Sequence, residues 1–166
     1  MILGMTPVVF VHVVLSLVGI GSGIVFVYGL LTDRRLEGCT TVFLASTVAT
    51  SVSGFAIPAD RFTPGHAFGI VSLVALAAAL LARYPWRLAG GWRTTYLLSS
   101  LAALYLNVFV LVVQAFLKVP ALHALAPTGS EAPFAIAQLL VLVSFVALGA
   151  LVVGKSRQTL ALSLAG

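Results

Sequence analysis

The sequence contains little charge and little chemistry of the kind that soluble proteins use. Nine basic and four acidic residues make up 8% of its 166 residues, whereas ordinary soluble domains carry about 25% charged residues. So little charge excludes a disordered chain, and the single cysteine, Cys39, excludes a disulfide framework. The basic residues are not clustered with aromatic residues on one polar face, so no nucleic-acid partner is expected.

Long apolar runs take the place of the missing charge. Hydrophobic residues make up 61% of the chain, and the mean hydropathy is +1.16. A membrane-spanning helix needs roughly 20 apolar residues, and five runs of that kind are bounded by charges, prolines and glycines. They span about 7–31, 39–57, 64–82, 92–119 and 133–153. The sequence therefore predicts an all-α integral membrane bundle of about five transmembrane helices, forming one domain over 1–166 in a lipid bilayer.

The distribution of lysine and arginine predicts the orientation of this bundle. Seven basic residues fall in the loops on one side and two on the other, and loops rich in basic residues face the cytoplasm. The two sets are Arg34, Arg35, Arg83, Arg87, Arg93, Lys155 and Arg157 against Arg61 and Lys118. We therefore expect the N-terminus outside and the C-terminus in the cytoplasm. The first run is too long for a signal peptide and follows no basic residue.

Small residues share one face of the first predicted helix. His12, Ser16, Gly19 and Gly23 lie close together on a helical projection, and small residues four apart allow close helix packing in membranes. The neighbour can be a helix of the same chain, or Gly19 and Gly23 can serve a homo-oligomer or a larger membrane complex. The second helix has a serine and threonine face, which can pack against a helix or line a polar cavity.

A polar stripe runs along the fourth predicted helix. Tyr96, Ser100, Ala103, Asn107, Leu111, Gln114 and Lys118 are spaced 4, 3, 4, 4, 3 and 4 residues apart. Amide groups in the hydrocarbon region must find partners, so the stripe faces protein or water. Asn107 and Gln114 either bond neighbouring helices or line a path for solute, and Gln138 on the fifth helix lies at a similar depth.

The ionisable groups outside the cytoplasmic loops gather at the outer side, which also holds all three histidines. We therefore predict a polar pocket on the periplasmic side. Its ligand-binding residues would be His12, His66, Asn107, Gln114, Lys118 and Gln138. No carboxylate lies within a span, which argues against coupled cation transport. The pocket would bind or pass a small neutral or anionic solute, or the protein would be an accessory subunit. No catalytic residue and no metal ligand is predicted.

Two other classes of function remain open at this point. His12 and His66, each near glycines, could hold haem b between two helices in an electron-transfer protein; otherwise no cofactor is expected. Copper bound by Met1, Met5 and His12 is a weaker alternative. A membrane enzyme would pair His66 or His123 with Asp60 or Glu131 as a base dyad, but no nucleophile motif accompanies these residues.

Two stretches of the sequence resemble known proteins. Arg61-Phe62-Thr63-Pro64-Gly65-His66, and the segment from Leu106-Asn107 through Gln114 to Ser130-Glu131, are similar to segments of small hypothetical bacterial inner-membrane proteins. The resemblance covers most of the chain and implies a multi-pass protein of the bacterial inner membrane. No activity is assigned to that group, so the resemblance transfers no catalytic residue.

Overall fold

The computed structural model describes residues 5–34 and 36–165, with side chains as far as residue 158. Every element in these ranges is a helix, which confirms the all-helical prediction. The helices are α1 (Pro7–Leu31), α2 (Glu37–Gly54), α3 (Pro64–Arg83), α4 (Trp92–Lys118), α5 (Pro120–Leu125) and α6 (Ala132–Ala165). Met1 of the copper hypothesis and Arg35 of the charge count lie outside the described residues.

Local sequence explains where two of the helices begin. At α1, the backbone N–H of Val9 donates to the Thr6 hydroxyl at 3.4 Å, and Pro7 occupies the first turn, where it sacrifices no hydrogen bond. At α3, Thr63 and Pro64 repeat this arrangement. His66 completes a capping box, because its ring nitrogen accepts from the Thr63 N–H at 3.1 Å.

Four helices of the described chain are long and apolar enough to cross a membrane: α1, α3, α4 and the segment Ala132–Gln158 of α6. Helix α2 is not among them. It runs over Glu37–Gly54 rather than 39–57, and its 18 residues include Glu37 and seven serines and threonines, which lower its hydropathy. Helix α6 continues well beyond the predicted end at 153, since no proline follows Gly154 to stop it.

Successive long helices run antiparallel, so the bundle has two distinct ends. Helix α4 contacts all five other helices. Ring contacts place Phe68 beside Phe109 and Phe116 beside Phe134 near one end, and Lys155 bonds the Leu31 carbonyl at the other. We call the end with His12 and His66 the histidine end, and the end with Arg83, Arg87 and Arg93 the arginine end.

An apolar layer fills the centre of the bundle. Phe43 and Leu104 are almost completely buried, and the Phe26 ring stacks on Phe43 at 5.3 Å and meets Tyr96 edge-on at 6.0 Å. Gly23 allows this packing, because a Cβ atom there would lie 2.5 Å from Cδ1 of Leu104. The layer therefore separates the interior of the histidine end from that of the arginine end.

Candidate functional site

A cavity of about 320 Å³ opens at the histidine end between α1, α2, α3 and α4. Its polar lining consists of hydroxyl, amide and imidazole groups. These belong to His12, Ser16, Thr47, Thr50, Ser51, Thr63, His66, Ser72, Asn107 and Gln114. No lysine, arginine, aspartate or glutamate is among the lining residues that the structure describes. We refer to this space as the polar cavity.

Asn107 provides a polar group deep in the polar cavity. The residue is 8% exposed, and its Oδ1 atom accepts a hydrogen bond from the Ser16 hydroxyl at 2.8 Å. Gly19 makes room for the amide, since a Cβ atom there would lie 3.1 Å from Nδ2 of Asn107. Within the described part of the chain, Nδ2 has no hydrogen-bond partner. A buried donor of this kind costs about 1–3 kcal/mol if nothing satisfies it.

Thr50 lines the same cavity and has a second polar group without a partner. Most hydroxyls on α2 donate to the carbonyl one turn earlier: Ser46 to Val42 at 2.6 Å and Thr47 to Phe43 at 2.7 Å. Such bonds make serine and threonine cheap to bury. The Thr50 hydroxyl is buried too, but no partner for it exists among the described residues. Hydroxyl and amide thus lie on two helices that face one cavity.

Serine side chains connect α2 and α3 beside these groups. The Ser51 hydroxyl donates to the Thr47 carbonyl at 2.9 Å, and its oxygen lies 3.0 Å from the hydroxyl of Ser72. Both serines are buried. The pair fixes the wall of the polar cavity and leaves Thr50 as the hydroxyl with unused hydrogen-bonding capacity on this stretch of α2.

The two histidines of the polar cavity have different local roles. His12 Nδ1 lies 3.0 Å from the Ser53 hydroxyl, and the His12 ring approaches Gly54, where a Cβ atom would be 3.4 Å away. It therefore links α1 to α2. His66 caps α3 and stacks on Phe55, with ring centroids 5.5 Å apart. Because Nδ1 of His66 accepts the Thr63 N–H, the proton of the neutral ring lies on Nε2.

The tautomer of His66 does not fit the haem hypothesis. Haem iron needs a ring nitrogen with a free lone pair. In His66 the Nδ1 lone pair accepts the backbone N–H of the helix cap, and Nε2 carries the proton. Ligation by His66 would therefore require the loss of its capping role in α3.

The acidic partners of the enzyme hypothesis are engaged locally. The Glu131 carboxylate accepts from the Thr128 N–H at 3.1 Å, the Thr128 hydroxyl at 3.0 Å and the Ser130 N–H at 3.1 Å. Slight desolvation opposes these bonds but does not outweigh them, so the pKa of Glu131 is lower than usual. Glu131 thus closes a turn before α6 and is not part of a base dyad with histidine in the described structure.

The structure brings four of the six predicted ligand-binding residues to one place. His12, His66 and Asn107 line the polar cavity, and Gln114 lies at its exposed mouth. Lys118 is exposed at the end of α4, outside the lining. Gln138 also lies outside it, because α6 packs on another face of α4, where Nε2 of Gln138 donates to the Phe109 carbonyl at 3.2 Å.

Six further polar residues line the cavity without having been predicted as ligand-binding residues: Ser16, Thr47, Thr50, Ser51, Thr63 and Ser72. The serine and threonine face of α2 was the available signal for Thr50, since cavity lining was one of its two interpretations. Ser72 stands alone in an apolar stretch of α3. Only its contact with Ser51 reveals where it points.

The two glycines proposed for an oligomer contact are buried within this chain. A Cβ atom on Gly19 would meet Thr47 and Asn107, and one on Gly23 would meet Leu104 and Phe43. The close neighbours of α1 at these positions are therefore α2 and α4.

Comparison with known proteins identifies no relative. No family model matches the chain, and neither a curated protein nor a solved structure matches it. The resemblance to bacterial inner-membrane proteins stays a prediction. The geometry of the polar cavity is therefore the basis for a functional proposal.

Proposed function

We propose that α2 is a fifth membrane span, beside the four apolar helices. At 1.5 Å per residue its 18 residues extend about 27 Å, close to the roughly 30 Å of the hydrocarbon core. It packs along α1 and α3, with Gly19 beside Ser46 and Ser51 beside Ser72. Its hydroxyls largely bond its own carbonyls, which removes most of the cost of crossing.

The charges at the two ends support the proposed orientation. Two described basic residues, Arg61 and Lys118, belong to the histidine end. The arginine end carries six: Arg34, Arg83, Arg87, Arg93, Lys155 and Arg157. By the positive-inside rule the arginine end faces the cytoplasm. The histidine end then faces the periplasm of a bacterial inner membrane.

We propose that the polar cavity binds a small neutral polar solute from the outer side. The observation that carries this proposal is a pair of buried polar groups without a partner, Nδ2 of Asn107 and Oγ1 of Thr50, in two residues that line one open cavity. An amide N–H is a donor only, and a hydroxyl can donate or accept. Together they suit a solute with hydroxyl or carbonyl groups.

The absence of charge selects the class of solute. A charged solute in a low-dielectric cavity needs an opposite charge close by, and the described lining has no lysine, arginine, aspartate or glutamate. This narrows the predicted neutral or anionic solute to a neutral one. The volume of about 320 Å³ is at the lower end of the range for small-molecule pockets, about 300–1,000 Å³.

The apolar layer favours binding over open passage. Phe43 and Leu104 close the floor between the polar cavity and the arginine end. A solute would cross only if these packed side chains moved apart. We therefore propose a binding protein, or the outward-open state of a carrier, and no permanently open channel.

A binding experiment with a matched control tests this proposal. Purified protein is titrated with an uncharged panel of glycerol, erythritol, urea and glucose, and binding is measured by calorimetry. Asn107→Leu removes the unpartnered amide and should weaken binding about tenfold, as expected for loss of one buried hydrogen bond. Gln138→Leu removes an amide of similar depth outside the cavity and should leave binding unchanged.

Two results would contradict the proposal. One is that no member of the panel binds to the folded wild-type protein. The other is equal binding by wild-type protein and Asn107→Leu when circular dichroism shows both to be folded. A loss in both variants would place the effect on the α4–α6 packing rather than on the polar cavity.

A further inference from the structure

A second cavity, of about 460 Å³, lies at the arginine end. Four arginines line it: Arg34, Arg83, Arg87 and Arg93. Arg34 follows the end of α1, Arg83 ends α3, Arg87 lies in the loop before α4, and Arg93 lies in the first turn of α4. We call this space the arginine pocket. Its position beyond the apolar layer makes it independent of the polar cavity.

The arginine pocket has positive charge that the chain does not neutralise. Arg83 pairs with the Glu37 carboxylate and donates to the Tyr96 hydroxyl at 3.2 Å. Arg34, Arg87 and Arg93 have no carboxylate partner within the part of the chain that the structure describes.

The other acidic group near this end is also engaged, since Asp33 pairs with Lys155 at 2.7 Å. Asp60 and Glu131 belong to the opposite end of the bundle. Three of the four arginines are therefore available to an anion from outside the chain.

The loop that carries Arg87 has an uncommon backbone. Arg87 and Leu88 are consecutive non-glycine residues with φ of 47° and 59°, a region that such residues rarely adopt. The Leu88 N–H bonds the Ala82 carbonyl at 2.9 Å, and Trp86 stacks on Trp92 at 3.7 Å across the loop. This conformation places Arg87 and Leu88 on the wall of the arginine pocket.

The rest of the wall is mostly apolar, and its other polar members are Glu37, which pairs with Arg83, Thr40 and Tyr96. Phe26, Leu30, Leu36 and Leu97 line the pocket beside the arginines. A ligand that fits this lining has an anionic group for the guanidinium groups and apolar surface for the leucines. Guanidinium groups bind phosphate oxygens in a bidentate manner, and basic pockets between membrane helices bind lipid head groups.

We propose that the arginine pocket binds a phosphate group at the arginine end of the bundle. The phosphate can belong to the head group of an anionic phospholipid or to free phosphate, and the chemistry at the three available arginines is the same. The apolar wall distinguishes the two sources, because a lipid also contacts Leu36 and Leu97 whereas free phosphate does not.

The test measures lipid and phosphate binding by the full-length protein in phosphate-free detergent. Native mass spectrometry follows adducts with phosphatidylglycerol and with phosphatidylcholine, and inorganic phosphate is added as a competitor. We expect the protein to form more adduct with phosphatidylglycerol than with phosphatidylcholine. The double variant Arg87→Gln and Arg93→Gln should weaken that binding at least tenfold, because it removes two charge-assisted contacts.

Arg157→Gln is the matched control, since it removes one positive charge from an exposed position at the same end, outside the pocket lining. It should bind phosphatidylglycerol as the wild type does. Displacement of lipid by phosphate at millimolar concentration supports free phosphate as the ligand, and resistance to displacement supports the lipid.

Three results would overturn the proposal. The first is that the wild type binds both lipids equally well. The second is that the double variant binds phosphatidylglycerol as well as the wild type does. The third is that Arg157→Gln loses as much binding as the double variant. If the double variant does not fold, Arg87→Lys with Arg93→Lys keeps the charge but not the bidentate geometry. That variant should retain binding with a loss of a few-fold, and unchanged affinity would equally overturn the proposal.

Discussion

Replacing Gly23 with alanine adds one methyl group where α1, α2 and α4 meet. The new Cβ atom would lie 2.5 Å from Cδ1 of Leu104 and 3.1 Å from the ring of Phe43. Both neighbours are buried almost completely, so neither can turn outward without disturbing the apolar layer. We expect Gly23→Ala to strain the centre of the bundle.

The size of this effect can be separated from helix propensity. Overpacking of a core costs about 1–3 kcal/mol, whereas alanine gains about 0.8–1.0 kcal/mol over glycine in a helix. Gly21→Ala is a matched control, since it lies in the same helix and nothing is within 4 Å of its added Cβ atom. Both variants replace a glycine of α1 with alanine, so the gain in helix propensity is the same in each and drops out of the difference in stability. Gly23→Ala should therefore be less stable than Gly21→Ala by about 1–3 kcal/mol.

The comparison is made by unfolding in mixed micelles. Sodium dodecyl sulfate is titrated into each variant in a mild detergent, and loss of helix is followed by far-UV circular dichroism. A difference below about 0.5 kcal/mol, the usual range for substitutions without packing effects, would refute the close packing of α1 against Leu104 and Phe43.

Two further predictions concern topology and pH. In a Cys39→Ser background, Ala124→Cys and Ala89→Cys should react with an impermeant reagent from opposite sides of the membrane, and labelling of both from one side would contradict five spans. The pKa of Glu131 is lower in the folded protein than in the unfolded chain. At a pH above the unfolded pKa of Glu131, its bonds to Thr128 therefore stabilise the turn. This stabilisation is lost as the pH falls through the folded pKa of Glu131. A carboxyl NMR titration, assigned with Glu131→Gln, should give a pKa below the ordinary 4.5, and a higher pKa would contradict the turn geometry.

Local chemistry made the helices predictable from the sequence. Long apolar runs and the Thr-Pro starts at Thr6 and Thr63 act within a few residues, so their effect does not depend on tertiary contacts. Helix α2 was harder to interpret, because its hydroxyl face suits both packing and cavity lining. Ser46 packs beside Gly19, whereas Thr50 lines the polar cavity, and neighbouring helices decide between these roles.

The positions of Gln138 and Arg87 depend on tertiary packing, and the sequence alone did not predict them. Gln138 shares its depth with the polar stripe of α4, but the contacts of Phe134 and Phe145 with α4 rotate it towards the Phe109 carbonyl. Arg87 counted only as a topological charge in the sequence. Its left-handed backbone places it in the arginine pocket. A left-handed conformation is normally indicated in a sequence by glycine, and position 87 is an arginine.

The most direct test of the polar cavity is the reactivity of a cysteine placed at Thr50, in a Cys39→Ser background, toward a small impermeant methanethiosulfonate. Ser100→Cys is the control, because Ser100 is also buried and its hydroxyl has no partner among the described residues, but it lies outside the polar cavity. The proposed function predicts that Thr50→Cys reacts from the periplasmic side only and that Ser100→Cys reacts from neither side. An unreactive Thr50→Cys, or one labelled from the cytoplasmic side, would contradict an outward-open polar cavity.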